Sequence, residues 1–199
     1  MQQMPFITFI IATIGRKTLL RSIESVIKQT DKDFKIIVVT DGHIKLENLV
    51  DDSRVSYLQA PKTRSPGLTR NYAFKYVSSK WIGFVDDDDV LYDRYIEELR
   101  KLDKENPILS FVLFRMITSK ITPKLEIKDK IVFNETGISF SVKASVLNRT
   151  RLLFESKGSE DYVFLRTLAN KGHVFKISDY VAYEVCRNNR DKGEGNDNT

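Results

Sequence analysis

Two continuous apolar runs, separated by one amphipathic segment, most constrain the fold of this chain. The runs occupy residues 6–12 and 34–39, and both are rich in β-branched side chains. Between them, over residues 17–29, apolar side chains recur at helical spacing. Strands that are apolar on both faces are typical of a parallel sheet covered by helices. The pattern therefore predicts a βαβ unit, and its right-handed crossover places Thr13 and Asp41 at the same edge of the sheet.

A third apolar run, at residues 81–85, stops abruptly in four consecutive aspartates at 86–89. Adjacent like charges destabilise a folded chain unless solvent, cationic side chains or a metal ion answer them. Carboxylate oxygens suit Mg2+ or Mn2+, and such an ion usually completes its shell with water and substrate phosphates. Because ligands of open α/β sheets bind outside the carboxyl ends of the strands, this junction is the predicted active site.

The acidic run has two other interpretations. One is an acidic turn that only solvates the end of a strand. The other is an EF-hand calcium loop starting at Asp86, which would place Leu91 at its sixth position, where that loop needs glycine. A strand also precedes the run where an EF-hand has a helix, so the calcium loop is set aside.

The rest of the chain continues an alternation of helical and strand patterns. Helices are predicted at residues 44–50, 68–76, 95–105 and 160–170, the last with Ser159 as N-cap. Strands are predicted at residues 55–58, 108–117, 131–133, 138–142, 174–177 and 181–185. The alternation extends the α/β prediction to most of the chain.

Composition limits the class of protein. The 199 residues suffice for one hydrophobic core, and 41% hydrophobic residues are ordinary for a globular protein. No signal peptide or membrane-spanning run is evident, and the single Cys186 excludes an internal disulfide, so a cytoplasmic location is expected. The net charge of +5 is scattered, which argues against a nucleic-acid partner. The lysines within 120–130 form either a solvated face or a peripheral contact with an anionic membrane surface.

Four short motifs follow one another in a fixed order. They are Thr-Asp-Gly at 40–42, Gly-Leu-Thr-Arg-Asn at 67–71, the aspartates at 86–89 and Glu-Asp at 160–161. With these motifs, over residues 6–187, the chain resembles the family 2 inverting glycosyltransferases of the GT-A fold. The resemblance implies a single Rossmann-like α/β domain, with a mostly parallel central sheet flanked by helices and a smaller acceptor-side sheet in the C-terminal third.

The resemblance also implies a division of labour within this one domain of residues 1–199. Residues 1–90 would bind the nucleotide sugar, residues 91–187 would bind the acceptor and carry catalysis, and residues 188–199 would form a mobile tail. The implied donor is a nucleoside-diphosphate sugar, with a UDP-sugar favoured, and the implied cofactor is Mn2+ or Mg2+. The implied acceptor is a hydroxyl of a glycan, lipid-linked or other molecule, as in polysaccharide biosynthesis.

Individual residues match positions of the family's motifs. Asp161 matches the general base, Asp41 the acid that hydrogen-bonds the nucleotide base, and Arg70 the basic residue near the nucleotide. In the Asp-x-Asp motif, Asp86 matches the acid that faces the ribose and Asp88 the ligand of the metal. The complete implied sets are Thr13, Asp41, Arg70, Asp86 and Asp87 for the nucleotide, Asp88 and Asp86 for the metal, and Glu160, Ser141 and Arg187 for the acceptor side or the diphosphate.

The chain departs from the family at some positions, and two other functions stay open. Ile14 stands where relatives often place an aromatic ring against the base, and His43 is interpreted as a loop residue and not a ligand. A nucleotidyltransferase that makes the nucleotide sugar is one alternative, although the turn at 13–16 is too short for its phosphate-binding loop. A nucleotide-binding domain without catalysis is the other, and the intact Asp161 argues against it.

Overall fold

The computed structural model describes residues 4–47, 49–156 and 158–186. Five α-helices occur along these ranges: α1 (Leu19–Ile27), α2 (Pro66–Ala73), α3 (Tyr95–Glu105), α4 (Ala144–Thr150) and α5 (Glu160–Asn170). Nine strands accompany them: β1 (Ile7–Thr13), β2 (Phe34–Asp41), β3 (Val55–Ala60), β4 (Trp81–Asp86), β5 (Val90–Leu91), β6 (Phe111–Ile117), β7 (Ile121–Thr122), β8 (Phe140–Lys143) and β9 (Phe175–Glu184). None of the helices in the described ranges is long and apolar enough to cross a membrane.

All nine strands join one mixed sheet in the order β3-β2-β1-β4-β8-β6-β9-β5, with β7 paired to β6. The first four strands are parallel, and Ile10 of β1 lies between Ile37 of β2 and Phe84 of β4. Strand β8 then pairs antiparallel with both β4 and β6, whereas β9 runs parallel to β6. The predicted βαβ unit and the α/β fold class are confirmed.

The separate acceptor-side sheet predicted for the C-terminal third is wrong. Strand β4 is buried, so an unpaired second edge would leave backbone N–H and C=O groups without partners. Strand β8 satisfies that edge and ties the C-terminal strands to the central sheet. The two predicted closing strands are also one strand, β9, whose register against β6 shifts between Leu113 and Met116.

Two local predictions fail, and one short helix was missed. Within residues 44–50, the described positions form no helix, and the Val50 N–H donates to the Tyr57 hydroxyl at 2.8 Å. Residues 131–133 belong to a turn and not to a strand, since the Glu135 N–H donates to the Val132 carbonyl. Helix α4 was not predicted. In each case tertiary contacts override a short local pattern.

A cluster of four phenylalanines fixes the approach of α5 to the sheet. Phe154 stacks on Phe164 of α5 with ring centroids 4.4 Å apart, and it meets Phe84 of β4 edge-on at 5.3 Å. Phe140 of β8 lies 5.0 Å from Phe84. All four rings are buried, so this packing holds the start of α5 beside the carboxyl end of β4.

Candidate active site

Polar residues from several elements meet where the parallel strands end. Thr13 ends β1, Asp41 ends β2 and Asp86 ends β4, and the parallel registers bring these ends to one edge of the sheet. The first turn of α5 adds Glu160 and Asp161. The predicted meeting of Thr13 and Asp41 at one edge is therefore confirmed.

Three of the four consecutive aspartates form an acidic cluster, which is Asp86, Asp88 and Asp89. One carboxylate oxygen of each lies within 4.8 Å of the others. Such hard oxygen donors are what Mg2+ and Mn2+ prefer. Burial and the nearby charge of Asp86 raise the pKa of Asp89 to about 7. The acidic cluster therefore fits a divalent cation by donor chemistry and by spacing.

Each member of the acidic cluster is held from a different direction. Arg16 forms an ion pair with the Asp88 carboxylate, and Arg70 forms one with Asp86. Asp89 accepts hydrogen bonds from the Tyr183 hydroxyl at 2.8 Å and from the Cys186 N–H at 2.9 Å. The cluster is thereby preorganised by β9 and by the turn after β1.

Asp87 points away from this cluster. Its carboxylate accepts a 2.6 Å hydrogen bond from the Thr13 hydroxyl and lies 3.6 Å from Arg16 Nε. Thr13 and Asp87 are both buried, and burial raises the pKa of Asp87. The two side chains tie the turn after β1 to the end of β4, and their role as nucleotide ligands stays a prediction.

Arg70 is the hub of the site. Ser65 caps α2 by accepting a hydrogen bond from the Leu68 N–H, and Pro66 lies in the first turn of the helix. The helix formed in this way carries Arg70 on its buried side. The Arg70 side chain is only 3% exposed, and its guanidinium pairs with Asp86 and, at 2.8 Å, with Glu160. The donors of Arg70 face carboxylates of the protein, and its place near the nucleotide stays a prediction.

Asp161 lies on the other side of Arg70. Its Oδ1 atom is 4.0 Å from Arg70 Nη1 and is buried without a hydrogen-bond partner. Burial raises the pKa of Asp161 to about 7, Arg70 opposes this shift, and the charges of Asp86 and Glu160 add to it. The side chain keeps 23% exposure. A carboxylate whose pKa lies near 7 and whose side chain is partly exposed suits a general base.

The remaining predicted site residues have different surroundings. Both carboxylate oxygens of Asp41 accept hydrogen bonds from residues 63–64, including the Arg64 N–H at 2.8 Å, and these bonds lower its pKa although burial opposes the shift. Asp41 therefore holds the loop at residues 63–64 in place, in addition to any contact with a nucleotide base. Ser141 is fully buried on β8 and forms a 2.9 Å hydrogen bond with the Tyr95 hydroxyl, and its place on the acceptor side stays a prediction. Arg187 lies outside the described residues.

Sequence reasoning missed several residues that build the site. Asp89 stood within the acidic run but was given no role, and Tyr183 was simply one residue of a predicted closing strand. Arg16 follows β1 at a position with no local sign of its partners. Their contacts join residues more than 70 positions apart, so no spacing pattern could have indicated them.

Gly67 is required by the close approach of α2 and α5. A Cβ atom at this position would lie 2.5 Å from Glu160 Oε2 and 2.7 Å from Phe154 Cβ. We expect Gly67→Ala to lower the free energy of unfolding by about 1–3 kcal/mol, as overpacking does elsewhere. Urea denaturation measures this, with Gly158→Ala as the control because its added Cβ would meet nothing within 4 Å. Equal stability of the two variants would contradict the close approach.

Comparison with known proteins places this geometry in a family. The profile described as "Glycosyl transferase family 2" matches residues 8–155. An uncharacterized glycosyltransferase of Rickettsia bellii is 33% identical over 104 residues, which are 49% of this chain and 15% of that protein. The poly(ribitol-phosphate) beta-N-acetylglucosaminyltransferase TarP of Staphylococcus aureus is 26% identical over 84% of this chain and 58% of TarP. The chain thus spans only part of the length of these relatives.

A third relative is the UDP-Glc:alpha-D-GlcNAc-diphosphoundecaprenol beta-1,3-glucosyltransferase WfgD of Escherichia coli, 26% identical over 81% of this chain and 68% of WfgD. Among solved structures, Staphylococcus aureus TarS 1-349 in complex with UDP-GlcNAc has a TM-score of 0.75 at 17% identity, covering 92% of this chain and 59% of TarS 1-349. A Pyrobaculum calidifontis mannosyltransferase in complex with GDP-Man and Mn2+ has a TM-score of 0.74 at 13% identity, covering 95% of this chain and 59% of that one.

At such identities the two structural likenesses establish the GT-A type of fold and nothing finer. The family profile reaches further, because it spans more than half of the chain, from β1 to the segment before α5. It includes the acidic cluster and Arg70. This chain therefore belongs to glycosyltransferase family 2.

Proposed function

We propose that this chain is a metal-dependent inverting glycosyltransferase. It transfers a sugar from a nucleoside-diphosphate sugar to an acceptor hydroxyl, with Asp161 as the general base. A UDP-sugar is the favoured donor. The observation that carries the proposal is the Asp161 carboxylate, whose pKa is raised to about 7 while it stays within reach of solvent. A nucleotide-binding domain without catalysis has no use for such a group.

The acidic cluster supports a donor with a diphosphate. Asp86 and Asp88 would hold Mn2+ or Mg2+, and Asp89 stands ready as a third ligand or as support. The bound ion would neutralise charge on the leaving diphosphate. Donors of this class are present in the TarS complex with UDP-GlcNAc and in the Pyrobaculum complex with GDP-Man and Mn2+.

The chemistry of the proposed step is a single displacement. The acceptor oxygen forms a bond to the anomeric carbon as the bond from that carbon to the diphosphate oxygen breaks. The electron pair of the broken bond stays on the diphosphate, and the hydroxyl proton passes to the Asp161 carboxylate. Attack from the face opposite the leaving group inverts the anomeric centre, which requires the base and the diphosphate on opposite sides of the sugar.

In this proposal the donor and acceptor sides of the site come from different parts of the chain. Residues 1–90 contain the donor side, including the acidic cluster, and the described part of residues 91–187 contains Asp161. The acceptor would be a glycan or a lipid-linked sugar, and the relative WfgD is named for an acceptor linked to diphosphoundecaprenol. We place the enzyme in the cytoplasm, with peripheral contact at the membrane when its acceptor is lipid-linked.

Incubation with Mn2+ and a panel of nucleotide sugars tests the proposal as a whole. We expect slow hydrolysis of one donor to the nucleoside diphosphate in the absence of any acceptor. A nucleotidyltransferase would instead consume a nucleoside triphosphate and a sugar phosphate and release pyrophosphate. A domain without catalysis would bind a nucleotide and change none of these compounds.

Asp88 is expected to couple nucleotide binding to the metal. Asp88→Ala removes one of the three clustered carboxylates, so UDP affinity in the presence of Mn2+ should fall by at least about 10-fold. Without metal, UDP should bind wild type and variant equally weakly. Calorimetric titration measures this, and exposed Asp51, at the far edge of the sheet, supplies the control variant Asp51→Ala. Affinity that is independent of both metal and Asp88 would contradict the proposal.

Asp41 is expected to favour uracil over adenine. An ionised carboxylate accepts hydrogen bonds only, so it matches the imide N–H of uracil but offers adenine no donor. UDP should therefore displace a bound nucleotide at lower concentration than ADP does, as a competition assay measures. Equal competition by UDP and ADP would remove Asp41 from base selection.

A further inference from the structure

Two aromatic rings, one exposed and one half-buried, meet at the start of α5, and we call this pair the aromatic corner. Its members are Phe133, which is 53% exposed, and Tyr162, which directly follows Asp161 in α5. The ring centroids are 5.3 Å apart and the ring planes meet at 70°. Tyr162 is the residue after Asp161, so the corner lies at the end of α5 that carries the proposed base.

The loop that carries Phe133 is held in place although the ring itself is open. The Val132 carbonyl accepts from the Glu135 N–H at 3.1 Å and from the Thr136 hydroxyl at 2.9 Å. The Glu135 carboxylate, which is buried, accepts from the Lys124 N–H at 3.0 Å. Phe133 is therefore exposed on a turn that hydrogen bonds hold in place.

Arg115 holds an earlier part of the same loop, residues 123–127, in place. This fully buried side chain donates to the carbonyls of Pro123, Lys124, Leu125 and Ile127 at 2.7–3.3 Å. Tyr162 is fixed too, because Arg166 donates to its hydroxyl at 3.1 Å. Both rings of the corner are thus preorganised, and preorganised aromatic surfaces bind at a low entropic cost.

We propose that the aromatic corner binds the apolar face of a pyranose ring in the acceptor. The inference rests on the proposed function, because an acceptor hydroxyl that donates to Asp161 places its ring next to Tyr162. The C–H face of a pyranose is flat and apolar, and its edge carries hydroxyls, so it matches a ring floor with polar groups around it. A flexible polyol phosphate presents no flat face and would need free cations. Arg166 is already engaged with Tyr162.

The corner can be tested by binding alone. The probes are methyl glycosides of glucose, galactose, N-acetylglucosamine and N-acetylgalactosamine, with ribitol 5-phosphate as the comparison ligand. Saturation-transfer NMR of the full chain with UDP and the diamagnetic ion Mg2+ should show at least one glycoside binding through its ring protons. Phe133→Ala and Phe133→Leu should each weaken that binding by about 10-fold or more, and Phe133→Tyr should retain it.

A matched pair of rings elsewhere provides the control. Tyr76 is 47% exposed and contacts Tyr72 with ring centroids 5.9 Å apart, just after the end of α2. Tyr76→Ala should leave glycoside binding unchanged. A Phe133→Trp variant adds a second readout, because the chain's own tryptophan, Trp81, is fully buried and its emission should not respond to a sugar.

Three results would overturn the inference: no saturable binding of any glycoside, binding that Phe133→Ala leaves unchanged, or stronger binding of ribitol 5-phosphate. Binding that Phe133→Leu preserves would indicate contact with an aliphatic chain and also overturn it. Donor hydrolysis without glycoside binding would refute the aromatic corner alone. Glycoside binding that depends on Phe133, without hydrolysis of any nucleotide sugar, would refute the proposed function and leave the corner as a sugar site.

Discussion

Asp161→Asn should transfer sugar at least about 100-fold more slowly than the wild type, because the amide cannot take the proton of the acceptor hydroxyl. Donor affinity should hardly change, since the amide has the same shape and the donor lies on the acidic cluster. The free energy of unfolding should not fall, because Asp161 Oδ1 has no hydrogen-bond partner to lose. Single-turnover transfer to an acceptor, calorimetric UDP binding and urea denaturation measure the three quantities.

The pH dependence provides an independent check of the same residue. A base works in its ionised form, and the pKa of Asp161 is raised from 3.8 to about 7, mainly by burial. The transfer rate of the wild type should therefore rise with pH, with a midpoint near 7, where an ordinary aspartate would place it near 4. This rise should be absent from the residual rate of Asp161→Asn.

Glu160 supplies the matched control for Asp161. Its carboxylate accepts from Arg70 at 2.8 Å and lies against Gly67, so it faces the protein. Glu160→Gln should lose stability and should slow transfer by less than Asp161→Asn does. If Asp161→Asn transfers sugar at the normal rate, the acid is a helix-start residue and the base lies elsewhere. A variant that fails only by unfolding would have the same meaning.

Much of the fold and the position of the site could be predicted from the sequence. Strands buried on both faces are continuous apolar runs, and the acidic run at 86–89 marks by itself the end of β4. The predicted edge, with Thr13, Asp41 and Asp86 together, follows from the parallel βαβ rule. These features are local or are fixed by general topology.

The roles of single residues were less accessible, because they depend on partners far along the chain. From the sequence alone, Arg70 is a basic residue near the start of a helix that could bind a phosphate. In the structure its guanidinium lies over Phe154 and pairs with Glu160 of α5. Ser141 has the polarity of a surface residue, yet β8 closes the edge of β4 and buries it. Neither outcome is encoded in spacing within a window of the sequence.

Arg70→Met should be the most destabilising substitution at the site. The side chain neutralises Asp86 and Glu160 and lies near Asp161, and loss of a buried ion-pair partner leaves those carboxylates unanswered. Such a loss costs about 3–5 kcal/mol in the free energy of unfolding. Urea denaturation measures it, and Arg94→Met, which removes an exposed pair with Glu97 on the surface, should cost less than about 1 kcal/mol.

The same substitution should also shift the pH profile of transfer. Arg70 lowers the pKa of Asp161 against the effect of burial, so its removal should move that pKa above 7. The rate of Arg70→Met should then be lost at pH 7 and partly recovered at higher pH.

Arg70→Lys keeps the positive charge but cannot present the planar fork that reaches Asp86 and Glu160 together. It should therefore lie between wild type and Arg70→Met in both stability and pH midpoint, and it remains informative if Arg70→Met does not fold. If Arg70→Lys loses nucleotide binding but keeps the wild-type pH midpoint, the guanidinium contacts the donor directly. Another group would then lower the pKa of Asp161 against the effect of burial.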